Sequence, residues 1–198
     1  MKGATYRAAV QAGDAMPTYA ICEVMQSNSP RLSAGDIVAA EATWSDYITA
    51  AAHKVQKLPK VETLSHLMSV YGIAGKTAYH GLMSIGNPVA GETVLVSAAA
   101  GSVGGYVGQI AKALGCRVVG IAGGAEKCAW VQSELGFDAC IDYRAPGLSK
   151  ALAAACPNGV DVYFDNVGGK ILESSLNFMN EKGRVVCCGA ISQYDTDN

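Results

Sequence analysis

From Thr93 onward, five short runs of β-branched and apolar residues alternate with four segments of helical periodicity. No other feature restricts the fold as tightly. The runs are Thr93–Ser97 (TVLVS), Arg117–Ala122 (RVVGIA), Ala139–Asp142, Val160–Asp165 (VDVYFD) and 184–188 (RVVCC). Segments 104–114, 125–135, 148–155 and 170–179 read as helices. Val107, Ile110, Ala111 and Leu114 share one face of the first. Gly115, Gly136, Gly159 and Gly183 stand at or beyond the helix ends. A strand that is apolar along its whole length is covered on both faces. Alternation with helices implies βαβ units and a parallel sheet. The expected fold class is therefore α/β, with a doubly wound, Rossmann-type parallel sheet.

Residues 1–60 read differently. They carry Pro17, Pro30 and Pro59, short mixed runs and no clear helix. Segments 22–26, 36–40 and 46–50 read as strands with Gly35 in a turn, which makes a small β module. Pro59 marks the boundary, giving domains 1–60 and 61–198. Segment 64–85 reads as helical, interrupted at Gly72 and Gly75. No internal repeat is visible.

Half the residues are hydrophobic and 16% are charged, enough apolar material for a core and too little charge for disorder. The formal net charge is −2 with no long basic run, so neither nucleic acid nor an anionic membrane is an expected partner. The N-terminus lacks the apolar core of a signal peptide, and no stretch reaches the ~18 uninterrupted apolar residues of a membrane span. A cytoplasmic location is expected. The seven cysteines include no C-x-x-C pair, and several sit in apolar runs, where a free thiol behaves as a small hydrophobe. His53, His66 and His80 form no H-E-x-x-H pattern. No metal site is expected.

Segment 96–112, VSAAAGSVGGYVGQIAK, lies between the first strand of the series and its first helix. In open α/β sheets the crevice beyond the strand ends binds ligands, and a helix N-terminus suits a pyrophosphate. Against the fingerprint G-x-G-x-x-G the chain has Ala99-x-Gly101-x-x-Gly104, with alanine in the first place. Its position in a five-strand series gives this imperfect match its weight. Gly75-Lys76-Thr77 mimics the end of a triphosphate-binding loop, but Val70 stands where that loop needs glycine. The second strand ends Ala122-Gly123-Gly124, without the carboxylate that holds the ribose 2′-hydroxyl of NAD. Lys127 follows, either to receive a 2′-phosphate or as a solvated helix residue. Tyr143, past the third strand, either stacks on adenine or caps a core edge. Gly168-Gly169 and Gly189 follow the fourth and fifth strands on the same side of the sheet.

These motifs, followed through GCRVVGIAGGAEK, FDNVGG and CGAISQY, resemble the medium-chain dehydrogenase/reductase superfamily. The similarity is to its zinc-independent, NADPH-dependent double-bond reductases, the prostaglandin, leukotriene, curcumin and alkenal reductases. PRLSAGDIV and the Trp44/Tyr47 pair resemble the end of that family's N-terminal, chaperonin-10-like β-barrel. The resemblance implies that Gly101, Ser102, Val103 and Gly104 form the pyrophosphate turn. It implies that Lys127 binds the 2′-phosphate, that Tyr143 lies at the adenosine and that Asn166 contacts the cofactor. Cys188, Gly189, Ala190, Ile191, Ser192, Gln193 and Tyr194 correspond to the loop over the nicotinamide ribose. Tyr194 corresponds to the tyrosine near nicotinamide and substrate, the expected catalytic residue.

The implied reaction is NADPH-dependent 1,4-reduction of an enone or enal. A hydride reaches the β-carbon, charge builds on the carbonyl oxygen, and the α-carbon takes a proton from Tyr194 or water. Two rival readings share the fold: an NADPH:quinone oxidoreductase and a non-catalytic NADPH-binding protein. Family members run to ~330 residues, and many form homodimers. The chain matches only part of that barrel and stops after ISQY, so poor turnover and a doubtful dimer are expected of it as given.

Overall fold

The computed structural model describes residues 10–194, which fall into two compact units divided after Gly72. The expected boundary at 60/61 lies earlier, because the short helix α1 (Ser65–Met68) still packs with the first unit, against β1 (Pro17–Glu23).

In the first unit, β1 pairs antiparallel with β2 (Ile37–Thr43), and β2 with the two-residue β3 (Gln56–Lys57). The described residues thus give this unit a three-stranded antiparallel sheet. The β1–β2 connection turns at Gly35, whose φ is +81° and whose amide donates to Val24 O at 2.8 Å. Segment 46–50, expected as a strand, is not one. The Ser45 hydroxyl donates to Tyr47 O there, with Thr43 O as a longer alternative acceptor, a local bond that competes with ladder bonds.

The second unit is the parallel sheet. Its strands are β4 (Thr93–Ser97), β5 (Arg117–Ala122), β6 (Ala139–Asp142), β7 (Val160–Asp165) and β8 (Met179–Cys187). They stand in the order β6-β5-β4-β7-β8, all parallel. Helices α2 (Ile73–His80), α3 (Ser102–Ala113), α4 (Ala125–Ser133), α5 (Leu148–Ala155) and α6 (Gly169–Leu176) flank it. Gly75 does not interrupt α2; it lies buried mid-helix. β8 begins at Met179, earlier than expected, because the polar run Asn180-Glu181-Lys182 belongs to an edge strand rather than to a loop.

Period-two alternation sends successive residues to opposite faces. Val94, Val96, Val118, Val162 and Phe164 join Leu82 and the α3 residues Val107 and Ala111 on one face. Leu95, Val119, Ile121, Ile141 and Tyr163 join Leu152 of α5 on the other. Each such fully buried aliphatic side chain contributes about 1.5–3 kcal/mol. The π-helical turn Gly81–Gly86 approaches the first face closely, since a β-carbon on Gly81 would stand 2.7 Å from the Phe164 ring. At the opposite end of the strands from their loops, Arg184 clamps Glu92 with two bonds of 2.9 and 2.6 Å and also donates to Gly86 O and Asn87 O.

Candidate cofactor site

Because the five strands are parallel, the loops after them emerge at one edge. The chain leaves the central β4 toward β5 and β6, then returns to β7 and β8 on its other side. The turns after β4 and β7 therefore diverge, which creates the crevice where open α/β sheets bind ligands. All the expected cofactor residues in this unit follow the C-terminal ends of these strands.

The β4–α3 turn begins at Ser97. Ala98 takes a left-handed conformation (φ +49°), and the Gly101 amide closes the turn on Ala98 O at 2.8 Å. Gly101 is the extended N-cap of α3 and has no side-chain cap. The amides of Ser102, Val103 and Gly104 thus open the helix with no carbonyl of an earlier turn to bond. A β-carbon on Gly104 would run into the Ala98 carbonyl, so only glycine lets α3 seat this closely. The alanine in the first fingerprint place is accommodated from β5. Ala99 is fully buried, and a β-carbon on Gly120 would stand 2.8 Å from its methyl. Nothing local to the glycine stretch signals that compensation.

Beyond β5, Gly124 caps α4 with φ +101° and no side-chain cap. Lys127 is exposed in the first turn of α4, where the helix dipole disfavours a cation. Tyr143 lies against Gly123, where a β-carbon would stand 2.9 Å from its ring. Two further residues converge here that the sequence reading did not single out. Asp142 Oδ1 accepts the Gly124 and Arg144 amides at 2.7 and 3.0 Å. Those bonds, with the Arg144 charge, hold its carboxyl below the usual range. Arg144 lies over the glycine pair, its Nε 3.1 Å from where a Gly123 β-carbon would be. The only sequence signal for it was its place directly after Tyr143.

Beyond β7, the buried Asp165 gathers donors from three segments. Its carboxylate accepts the Ser97 hydroxyl (3.0 Å), the Tyr163 hydroxyl (2.8 Å) and the amides of Val167 and Gly168 (3.1 Å each). Burial pushes the Tyr163 hydroxyl well above its usual pKa, so it stays a proton donor. Asn166 faces β4: its amide donates to Ser97 Oγ and its side-chain nitrogen to Ser97 O, both at 2.8 Å. The loop after β8 hangs on the same turn. Cys188 and Gly189 donate to Asp165 O, Ile191 to Asn166 O, and Ser192 to Val167 O. Gln193 donates its amide to Ala190 O. Burial raises the Cys188 thiol, which remains protonated there. The Tyr194 hydroxyl folds back over the loop and accepts the Ala190 amide at 3.2 Å.

Among the described residues no three His, Cys, Asp or Glu side chains cluster to hold a metal, and all seven cysteines are free. No described helix is long and apolar enough to cross a membrane. A cavity of about 930 Å³ in the first unit has Glu23 and Asp46 as its charged lining residues. Two carboxylates without a cation suit no phosphate-bearing ligand.

The sequence model described as a zinc-binding dehydrogenase matches residues 102–197, and that described as the N-terminal domain of oxidoreductase matches residues 1–58. The NADPH-dependent curcumin reductase of Escherichia coli is 43% identical over 192 residues, 96% of this chain and 56% of that protein. Prostaglandin reductase 1 of Bos taurus is 43% identical over 188 residues, 92% of this chain and 57% of that protein. The crystal structure of CurA in complex with NADPH from Vibrio vulnificus superposes with a TM-score of 0.91 at 40% identity, covering 100% of this chain and 59% of that one. The chain spans a little over half the length of the curated relatives it matches. Sequence and fold agree that it belongs to the medium-chain dehydrogenase/reductase superfamily, in the branch of the curcumin, prostaglandin and alkenal reductases.

Proposed function

We propose that the chain binds NADPH along the C-terminal edge of its parallel sheet and serves reduction of the C=C bond of α,β-unsaturated ketones or aldehydes. The observation that carries this reading is the convergence at one edge of a glycine turn, two exposed cations and a tyrosine-bearing loop. The uncapped start of α3 and the glycine-only fit of Gly104 suit a pyrophosphate. Lys127 and Arg144 suit a 2′-phosphate, with Tyr143 beside them for the adenosine. The turn at Asn166 and the loop from Cys188 to Tyr194 fit the nicotinamide end. Free cysteines and a net charge of −2 suit a reducing, cytoplasmic setting and a small-molecule substrate rather than nucleic acid.

NADPH supplies, when bound, the hydride that reaches the β-carbon of the substrate. Tyr194 donates a hydrogen bond toward the substrate oxygen as charge builds on it. The same hydroxyl then passes its proton to the α-carbon and regains one from water. The glycine turn and the loop orient the reacting carbons and keep water from them.

The test mixes the protein with NADPH and a panel of enals, enones and quinones and follows cofactor absorbance. Enal- or enone-dependent oxidation supports the reading. Oxidation with quinones alone, or cofactor binding with no turnover on any substrate, overturns the assignment to double-bond reduction.

A further inference from the structure

We infer that Asp165 is the positioning residue of the nicotinamide side of this site, fixing the turn and loop after β7 and β8 to the end of β4. The inference rests on the cofactor reading above.

Asp165 is 2% exposed, and no described cation forms an ion pair with it. A buried carboxylate without a cation is costly and persists where hydrogen bonds hold it. Here all the donors are neutral, and they come from β4 (Ser97), β7 (Tyr163) and the following turn (Val167, Gly168). Gly168 lies at φ +69°, ψ −162°, a conformation open essentially to glycine alone. Its amide reaches both carboxylate oxygens at 3.1 Å, so the carboxylate fixes a turn that its own backbone does not favour. Ser97 Oγ passes the constraint on by accepting the Asn166 amide.

The 188–194 loop is bonded to residues 165–167 and to itself. Asp165 O takes Cys188 and Gly189 at 2.9 and 3.1 Å, and Val167 O takes the Ser192 hydroxyl at 2.6 Å. One carboxylate therefore sets the spacing between the Ser97 end of the glycine turn and the loop that carries Tyr194. The adenosine residues Lys127, Tyr143 and Arg144 lie beyond β5 and β6 and share none of these bonds. Loss of the carboxylate should loosen one half of the site and leave the other.

The experiment compares NADPH with 2′-phospho-ADP-ribose, the same molecule without nicotinamide, by calorimetric titration of the wild type and of Asp165→Asn. Asparagine keeps the shape but has one acceptor oxygen for the donors that two oxygens now serve. The variant should bind NADPH about tenfold more weakly and the fragment within about twofold of wild type. Equal losses for both ligands would show Asp165 to be a general structural residue and overturn the inference, as would no loss at all. A wild type that binds the fragment and NADPH equally also overturns it. A wild type that binds neither ligand refutes the cofactor reading itself. If Asp165→Asn shows no cooperative melt, Ser97→Ala and Tyr163→Phe each remove one donor, and the same split between ligands is expected at smaller size.

Discussion

Gly124 donates its amide hydrogen to Asp142 Oδ1 across 2.7 Å, so a carboxylate from β6 stands at the end of β5. The sequence has no acid at the end of that strand itself, and the fold brings one in from the next. Its charge is partly offset by Arg144, whose amide bonds the same oxygen. Selection between NADPH and NADH is then a balance of Asp142 against Lys127 and Arg144.

Asp142→Asn should raise affinity for NADPH by about 3- to 10-fold and leave NADH nearly unchanged, since it removes a negative charge beside the cations that would receive the phosphate. The asparagine oxygen still accepts the Gly124 amide, so the turn survives. The gain should shrink in high salt because Lys127 and Arg144 are solvent-exposed and Asp142 is only half-buried. Titrations of both cofactors at two salt concentrations check it. A parallel gain for NADH would mean that the change acts through the turn and not through charge.

Neighbouring glycines of α3 should respond unequally to alanine. On Gly104 the methyl meets the Ala98 carbonyl, a backbone group that cannot move aside, so Gly104→Ala should cost about 1–3 kcal/mol and displace the pyrophosphate turn. On Gly105 it meets the end of the flexible Leu135 side chain at 3.2 Å, while helix propensity favours alanine by about 1 kcal/mol. Gly105→Ala should melt within a few degrees of wild type. Thermal unfolding of the two variants side by side decides the matter, and similar losses in both would refute the seating described for α3.

The strands β4, β5 and β7 were legible because burial on both faces leaves a continuous apolar run, a purely local signal. Their order was not, because pairing β4 with β7 joins Val94 to Val162 across 68 positions and no local residue records it. The same limit hid the meeting of Ala99 with Gly120 and of Gly124 with Asp142. At Asn166 the resemblance implied a cofactor contact, and nothing local recorded that both its nitrogens also bond Ser97. The first 60 residues were harder still. A half-covered antiparallel sheet leaves short, mixed runs, and 46–50 resembles β2 until the chain is seen to bend at 44–46, where the Ser45 hydroxyl donates to Tyr47 O.

Stability should fall in acid through a few identifiable carboxylates. The Arg184 bonds hold Glu92 below its ordinary 4.5. Asp138 is partly buried, which alone would raise it, but Lys112 and the Val118 amide hold it below 3.8. A depressed folded pKa means the group stabilises fully above its unfolded value and loses that contribution as pH drops through the folded one. The melting temperature should therefore be flat near neutrality and decline below about pH 4.5. Glu92→Gln should cost about 1–2 kcal/mol at pH 7 and make that decline shallower. Arg184 stays anchored on Gly86 O and Asn87 O in the variant. An unchanged acid slope would show that other groups govern it.

Lys127 and Arg144 should read the one phosphate by which NADPH differs from NADH. Among the described residues Lys127 has no hydrogen-bond or ion-pair partner, and it sits in a first helical turn, where its charge is unfavourable until an anion arrives. A charge-assisted contact is worth about 1.5–3 kcal/mol, so Lys127→Ala should weaken NADPH binding about 10- to 100-fold. Arg144→Ala should act in the same direction, and the double variant should lose less than the product of the two, because both cations serve one dianion. Glu126 is adjacent, but successive helical residues point apart and it should matter little. NADH binding should barely change in any of the three. Fluorescence titration of both cofactors against all four proteins measures each constant directly. Equal losses for NADH and NADPH in Lys127→Ala would show that the lysine supports the fold of α4 rather than the phosphate.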